Sequence, residues 1–187
     1  MKQVAIFASG NGSNAAKIIE YFSSSEKNVC ISLIVTNNTT AGVLQIAATH
    51  NIATLMLNKE IFFQGDAYVA ELQKMKIDLI VLAGFLWKIP SKLIDAFPNK
   101  IINIHPALLP KFGGKGMYGK FVHEAVIANK EKESGITIHF VNEKYDDGKI
   151  IFQIKCPVDA NETIESLAQK IHELEYKYFS KVIEGIL

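Results

Sequence analysis

Hydrophobic positions follow two rhythms along this chain of 187 residues. Residues 4–8, 29–36, 78–83 and 100–105 are short, mostly unbroken apolar runs rich in Val, Ile and Leu, and residues 53–57 are extended in pattern. Such runs predict strands buried on both faces. Between them, residues 42–49 and 67–75 and the stretch that Ser13 opens through Ala16, Ile19 and Tyr21 carry helical spacing. Strands alternating with helices of this length predict a parallel sheet covered on both sides. The rhythm changes after residue 105. Residues 106–120 contain Pro106, Pro110 and four of the 12 glycines, which predicts a long loop. A helix over 121–129 follows, then two extended runs, 136–142 and 149–157, joined across Lys144-Tyr145-Asp146-Asp147-Gly148 as an antiparallel pair. A helix over about 163–184 closes the chain. The expectation is one α/β domain, Rossmann-like, with a mostly parallel central sheet, an antiparallel C-terminal hairpin and helices on both faces.

Composition narrows the class. With 20 Lys+Arg against 19 Asp+Glu the net charge is +1, which excludes a nucleic-acid binder that works by bulk charge. The apolar share of 49% fits a folded domain. Two cysteines make no disulfide framework, and Val29-Cys30-Ile31 reads as a reduced core thiol. No signal h-region and no apolar stretch of membrane-spanning length is present, so a cytoplasmic protein is expected.

Four places can carry chemistry. Gly10-Asn11-Gly12-Ser13-Asn14 lies between a strand and a helix, where backbone N–H groups and the helix dipole can cradle a phosphate. The plainer alternative is a tight turn with Ser13 as N-cap. With Ala15 the turn fits a loose dinucleotide fingerprint. No Asp or Glu occurs between Lys27 and Lys59 to hold an adenosine ribose, and the next strand ends at Asn37-Asn38, so a phosphorylated sugar fits better than NAD. Asn103 and His105, two apart on one strand, point off the same face about 6.6 Å apart, while Ile102 and Ile104 face the other way. Pro106 stops the strand there. An amide beside an imidazole suits acyl transfer, one steadying an oxyanion and the other managing a proton. Asp146-Asp147-Gly148 is by composition an ordinary turn. On the last helix Ile164, Ala168, Ile171, Tyr178 and Val182 form an apolar stripe, with Glu175 in its middle. A carboxylate there must pair with a lysine or hold a ligand; Tyr176 and His172 flank it. His123-Glu124 reads as a surface pair, and no spacing suggests a metal site.

Taken together, these residues resemble the folate-dependent formyltransferases. The glycine turn, Ile102-Asn103-Ile104-His105-Pro106 with Leu108-Leu109-Pro110, and Gly135-Ile136-Thr137-Ile138-His139-Phe140-Val141 running through Tyr145-Asp146-Asp147-Gly148 to Ile151 occur in that order over nearly the whole chain. The third pattern is similar to the active-site signature of the glycinamide ribonucleotide transformylases. The resemblance implies formyl transfer from 10-formyltetrahydrofolate to the amine of glycinamide ribonucleotide, in purine synthesis and without a metal. Matched position by position, it makes Asn103, His105 and Asp146 the catalytic trio. Gly12, Ser13, Asn14, Pro106, His172 and Glu175 are matched to the ribonucleotide. Leu86, Trp87, Lys88, Ile89, Asn142, Glu143, Lys144, Tyr145 and Asp146 are matched to the folate. His105 is expected to be protonated, with Asp146 raising its pKa. A single domain over 1–187 is implied, with a phosphate-binding half to about residue 100 and a folate-binding, catalytic half beyond it.

Two departures fall on the folate side: Trp87 and Gly65 stand where some members carry arginine. The loop from Phe112 to Met117 also differs from commoner versions. Among rivals, the methionyl-tRNA enzyme has an added C-terminal domain and the formyltetrahydrofolate hydrolase an added N-terminal one, and the length of this chain counts against both. A noncatalytic phosphate-binding module would need the glycine turn but not the trio. Small-molecule substrates are expected as partners, with no nucleic acid and no membrane; the sequence does not give the oligomeric state.

Overall fold

A computed structural model describes residues 1–23, 28–64 and 66–187; Gly65 lies outside them. In the first half, β1 (Lys2–Phe7), β2 (Val29–Thr36), β3 (Ala53–Met56), β4 (Leu79–Leu82) and β5 (Ile101–His105) alternate with helices. These are α1 (Ser13–Ser23), α2 (Val43–Thr49), α3 (Lys59–Gln64), α4 (Ala67–Lys74) and α5 (Ser91–Ala96). The second half holds α6 (Lys120–Ala128), β6 (Glu133–Phe140), β7 (Ile150–Pro157) and α7 (Ile164–Ile186). The seven strands form one sheet in the order β3-β2-β1-β4-β5-β6-β7. Strands β1 to β5 are parallel, and β6 pairs antiparallel with both β5 and β7. The expected fold class is what is found.

Alternation along β1 shows why the sheet is buried twice. Val4 and Ile6 join a core under α1, α2, α6 and α7, while Ala5 and Phe7 join a second core under α3, α4 and α5. Each fully buried side chain of this size is worth roughly 1.5–3 kcal/mol, so apolar residues are required on both faces. The chain leaves β1 for β2 on one side and later returns to β4 on the other. That reversal is the crevice where open α/β sheets bind ligands.

Several details differ from the sequence-based expectation. Helices α3 and α5 were not foreseen, and β6 starts three residues earlier, because Ser134 and Gly135 pair with Cys156 and Lys155 inside the sheet. Cys30 is half-buried, not a core thiol, since β2 is covered only from Ile31 onward; both cysteines are free. The buried stripe of α7 is Leu167, Ile171, Glu175, Phe179 and Ile183, an i, i+4 row; Ile164, Ala168, Tyr178 and Val182 flank it half-buried.

Candidate active site

The crevice opens into a cavity of about 700 Å³ at the carboxyl ends of β1, β4 and β5. One wall is the turn from β1 into α1. Gly12 has φ +77°, and a Cβ there would lie 2.8 Å from Val43 Cβ on α2; the turn closes only with glycine. Its carbonyl accepts from the Ala16 N–H at 2.8 Å, and the α1 N-terminus faces the cavity through Ser13 and Asn14. Asn38 is not free for a ribose: its Nδ2 donates to the Ser9 carbonyl at 3.1 Å and its Oδ1 accepts from the Thr40 N–H at 3.0 Å.

Glu175, at one end of the cavity, is 6% exposed. Among the described residues no lysine pairs with it. Its Oε2 accepts from Asn14 Nδ2 at 2.8 Å, which ties α7 to the α1 turn. Burial raises the pKa of this carboxyl above the ordinary range, against the Asn14 hydrogen bond and the His172 charge, which lower it. His172 lines the same end from an exposed position, its ring stacked on Tyr176 at 6.0 Å.

At the other end β5 presents Asn103 and His105 to the cavity and packs Ile102 and Ile104 into the core. The loop after β6 brings Asp146 to them. Asp146 has φ +52°. Its Oδ1 accepts from Asn103 Nδ2 at 3.3 Å and its Oδ2 from the Gly114 N–H at 2.9 Å; Oδ2 also lies 3.5 Å from His105 Nδ1. The trio expected from sequence is thus one connected group. Burial works to raise the Asp146 pKa, but contact with His139, the His105 charge and the Gly114 N–H outweigh it and hold the carboxyl below its ordinary range.

His105 departs from expectation. Asp146 does favour its protonation, as does the Phe112 carbonyl 2.7 Å from Nε2, but burial is the larger effect and the net shift is downward. The imidazole is 3% exposed and neutral at pH 7.

Two further histidines emerge. His139 stands opposite Asn103 in the β5–β6 register. Its Nδ1 donates to the Phe140 carbonyl at 2.9 Å, and its Nε2 lies 3.2 Å from Asn103 Nδ2 and 3.6 Å from Asp146 Oδ1. Its signal in the sequence was the antiparallel pairing, which spacing along one strand does not contain. His123 is not a surface residue: it is 3% exposed and lines the cavity, while Glu124 pairs with Lys120 at 3.6 Å. Helical projection places it next to the buried Val122 and Val126.

The remaining wall is largely apolar. Leu86, Trp87, Lys88 and Ile89 line it together with Asn142, Lys144, Tyr145 and Asp146. Lys88 Nζ stands 6.0 Å from the Tyr145 ring, and Trp87 packs on Phe62 and Phe63 at 5.7 and 5.6 Å. Glu143 does not line this cavity; it borders a shallower pocket beside Phe63 and Ser91. Among the described residues, no group of three or more His, Cys, Asp and Glu side chains is placed to hold a metal ion. Nor is any described helix long and apolar enough to cross a membrane.

A polar turn suited to an anion, an amide–imidazole–carboxylate group and an apolar slot share one crevice of an α/β domain, the arrangement of a small-molecule site. Residues 2–183 match the family model described as formyl transferase. The chain belongs to that family. It is 43% identical over 190 residues to the chloroplastic phosphoribosylglycinamide formyltransferase of Arabidopsis thaliana, covering 99% of this chain and 65% of that one. To the Bacillus subtilis phosphoribosylglycinamide formyltransferase it is 36% identical, covering 100% and 95%. The crystal structure of phosphoribosylglycinamide formyltransferase from Bacillus halodurans superposes with a TM-score of 0.90 at 33% identity, over 100% of this chain and 95% of that one. The chain thus spans 65% and 61% of the lengths of two plant relatives, from Arabidopsis thaliana and Vigna unguiculata.

Proposed function

We propose that this protein transfers a formyl group from 10-formyltetrahydrofolate to the primary amine of glycinamide ribonucleotide, as a cytoplasmic enzyme of purine synthesis. The observation that carries this is that one cavity holds the α1 turn, Glu175, the Asn103–His105–Asp146 group and the apolar wall. The backbone at Gly12, Ser13 and Asn14 holds the substrate phosphate, with the helix dipole behind it. Glu175 accepts hydrogen bonds from the ribose hydroxyls, with His172 and Pro106 bordering the same substrate. The folate ring system lies in the slot from Leu86 to Ile89 and meets the segment from Asn142 to Asp146. The first half of the domain thus supplies the phosphate site, and the part beyond residue 100 most of the catalytic group.

The amine attacks the formyl carbon, a C–N bond forms, and the carbonyl oxygen gains negative charge. Asn103 and His105 donate hydrogen bonds to that oxygen. His105 enters as a neutral ring and takes the proton that the attacking amine gives up, so it is charged only until that proton passes to the folate nitrogen; ionised Asp146 favours that change. The carbon–nitrogen bond to tetrahydrofolate then breaks. The folate nitrogen takes up the proton that the amine gives up, so no net proton is consumed.

The test is a steady-state assay with both substrates, following the folate product by absorbance. Turnover is expected only when glycinamide ribonucleotide is present. Folate release at the same rate without it would make the protein a hydrolase, and tight folate binding with no turnover would make it a binding module.

A further inference from the structure

His123 is a buried titratable group that the chemistry above does not use. It lies on α6, is 3% exposed, and lines the cavity. Its Nδ1 is enclosed by protein and meets no hydrogen-bond partner among the described residues. A buried polar atom left unpaired costs on the order of 1–3 kcal/mol, so a leucine or methionine would fill a merely structural position better. An unpaired N–H is the rarer arrangement, which puts the lone pair on Nδ1 and the proton on Nε2. Burial first, then the charges of His172 and His105, push the pKa of the ring down to about 4, so it remains a neutral donor across the physiological range. His105 ends β5, two strands across the sheet from β1, while Glu175 is held by Asn14 on the helix that follows β1 and His172 lies one turn before it on α7; His105, His172 and His123 all line the one cavity.

Between the ribose and the amine of glycinamide ribonucleotide lies one amide group. With the ribose near Glu175 and the amine near Asn103 and His105, that amide must cross the part of the cavity between His172 and His105. Its carbonyl is an acceptor in need of a donor. We propose that His123 is a further substrate-binding residue, whose Nε2–H donates to the amide carbonyl of the acceptor substrate. The proposal rests on the formyl-transfer function above.

The experiment measures binding, so that it does not depend on turnover. Calorimetry is run with glycinamide ribonucleotide, and with its thioamide analogue, whose thiocarbonyl is a far weaker acceptor on the same planar N–H group, on the wild type, His123→Leu and His123→Gln. Loss of one hydrogen bond predicts about tenfold weaker binding of the ribonucleotide to His123→Leu. His123→Gln, which keeps a donor, should recover most of it. The wild type should bind the analogue about tenfold more weakly than the ribonucleotide, and His123→Leu should not distinguish the two. In steady state, KM for the ribonucleotide should rise while KM for the folate and kcat stay within about twofold. Equal affinity of folded His123→Leu and wild type for the ribonucleotide overturns the proposal, as does a parallel rise in both KM values. If His123→Leu does not fold, a wild type that fails to discriminate against the analogue overturns it alone. A wild type that binds no ribonucleotide overturns the formyl-transfer function itself, and this proposal with it.

Discussion

Replacing Asp146 by asparagine removes one charge with little else disturbed. Asp146 sits at φ +52°, a conformation asparagine also tolerates, and the amide oxygen can still accept from the Gly114 N–H. What is lost is the field on His105. The carboxylate oxygen lies 3.5 Å from Nδ1, with side chains only 4% and 9% exposed. At an effective dielectric constant of about 20, two unit charges at that distance attract by about 5 kcal/mol. How much of this reaches the rate depends on how far the imidazolium has formed in the transition state. Half development gives about 2.4 kcal/mol and roughly 50-fold; near-complete development gives about 3 × 10³-fold. We therefore expect kcat of Asp146→Asn to fall by about 10² to 10³, with KM for the ribonucleotide changed only a fewfold. Losing the charge also lowers the His105 pKa further, so the acid limb of the pH–rate profile should move to lower pH. The assay is the absorbance of the folate product across pH, with melting temperature and near-ultraviolet circular dichroism as controls for folding. A folded Asp146→Asn protein within fivefold of wild-type kcat, or with its acid limb moved upward, would refute the charge argument.

Gly12→Ala should lower stability by roughly 1–3 kcal/mol, since it imposes a positive φ on alanine and drives a Cβ to 2.8 Å from Val43. KM for the ribonucleotide should rise more than KM for the folate, and thermal melting with two-substrate kinetics checks both. Stability should also fall with acid in a defined window. His123 takes up its proton near pH 6.5 when unfolded but only near about 4 when folded, so between these values the unfolded chain binds more protons and stability drops as pH falls. At roughly 1.4 kcal/mol per pH unit the loss reaches about 3 kcal/mol, with His105 acting in the same direction. Urea unfolding at pH 7 and pH 4.5 measures it, and His123→Leu should flatten the difference.

What could be read from the sequence was set by how local each signal is. Four of the parallel strands were legible because each is apolar on both faces, the edge strand β3, largely exposed, only as an extended pattern, and Glu175 because a charge inside an apolar helical stripe is costly unless something holds it. Asn103 and His105 could be paired because strand spacing alone puts them on one face. Helices α3 and α5, six residues each, are shorter than two turns and carry no period. His139 was hidden because its partner is 36 residues away and is chosen by the antiparallel register of β6. His123 had a signal, its place beside Val122 and Val126 on a helical projection, the same test that found Glu175. The protonation of His105 was misjudged for a different reason. Sequence can suggest that a carboxylate is near, but not that burial will outweigh it.

That balance bears on how the site works. In the proposed reaction, the side chains that would donate to the oxyanion are already committed to protein acceptors. Asn103 Nδ2 serves His139 and Asp146 at 3.2 and 3.3 Å, and His105 places Nε2 at 2.7 Å from the Phe112 carbonyl and Nδ1 at 3.5 Å from Asp146. A formyl oxygen must compete for them. The Asn103 bonds are at or beyond the long end of the hydrogen-bond range and weak, so exchanging one costs little. A neutral carbonyl oxygen is a modest competitor, whereas an oxyanion accepts a bond about twice as strong. The donors therefore shift toward the substrate mainly as charge appears on it. Donors that bind the transition state better than the ground state are what raise kcat without tightening KM. A permanently charged His105 would bind both states; a neutral one, held below its ordinary pKa by burial and drawn upward by Asp146, discriminates between them.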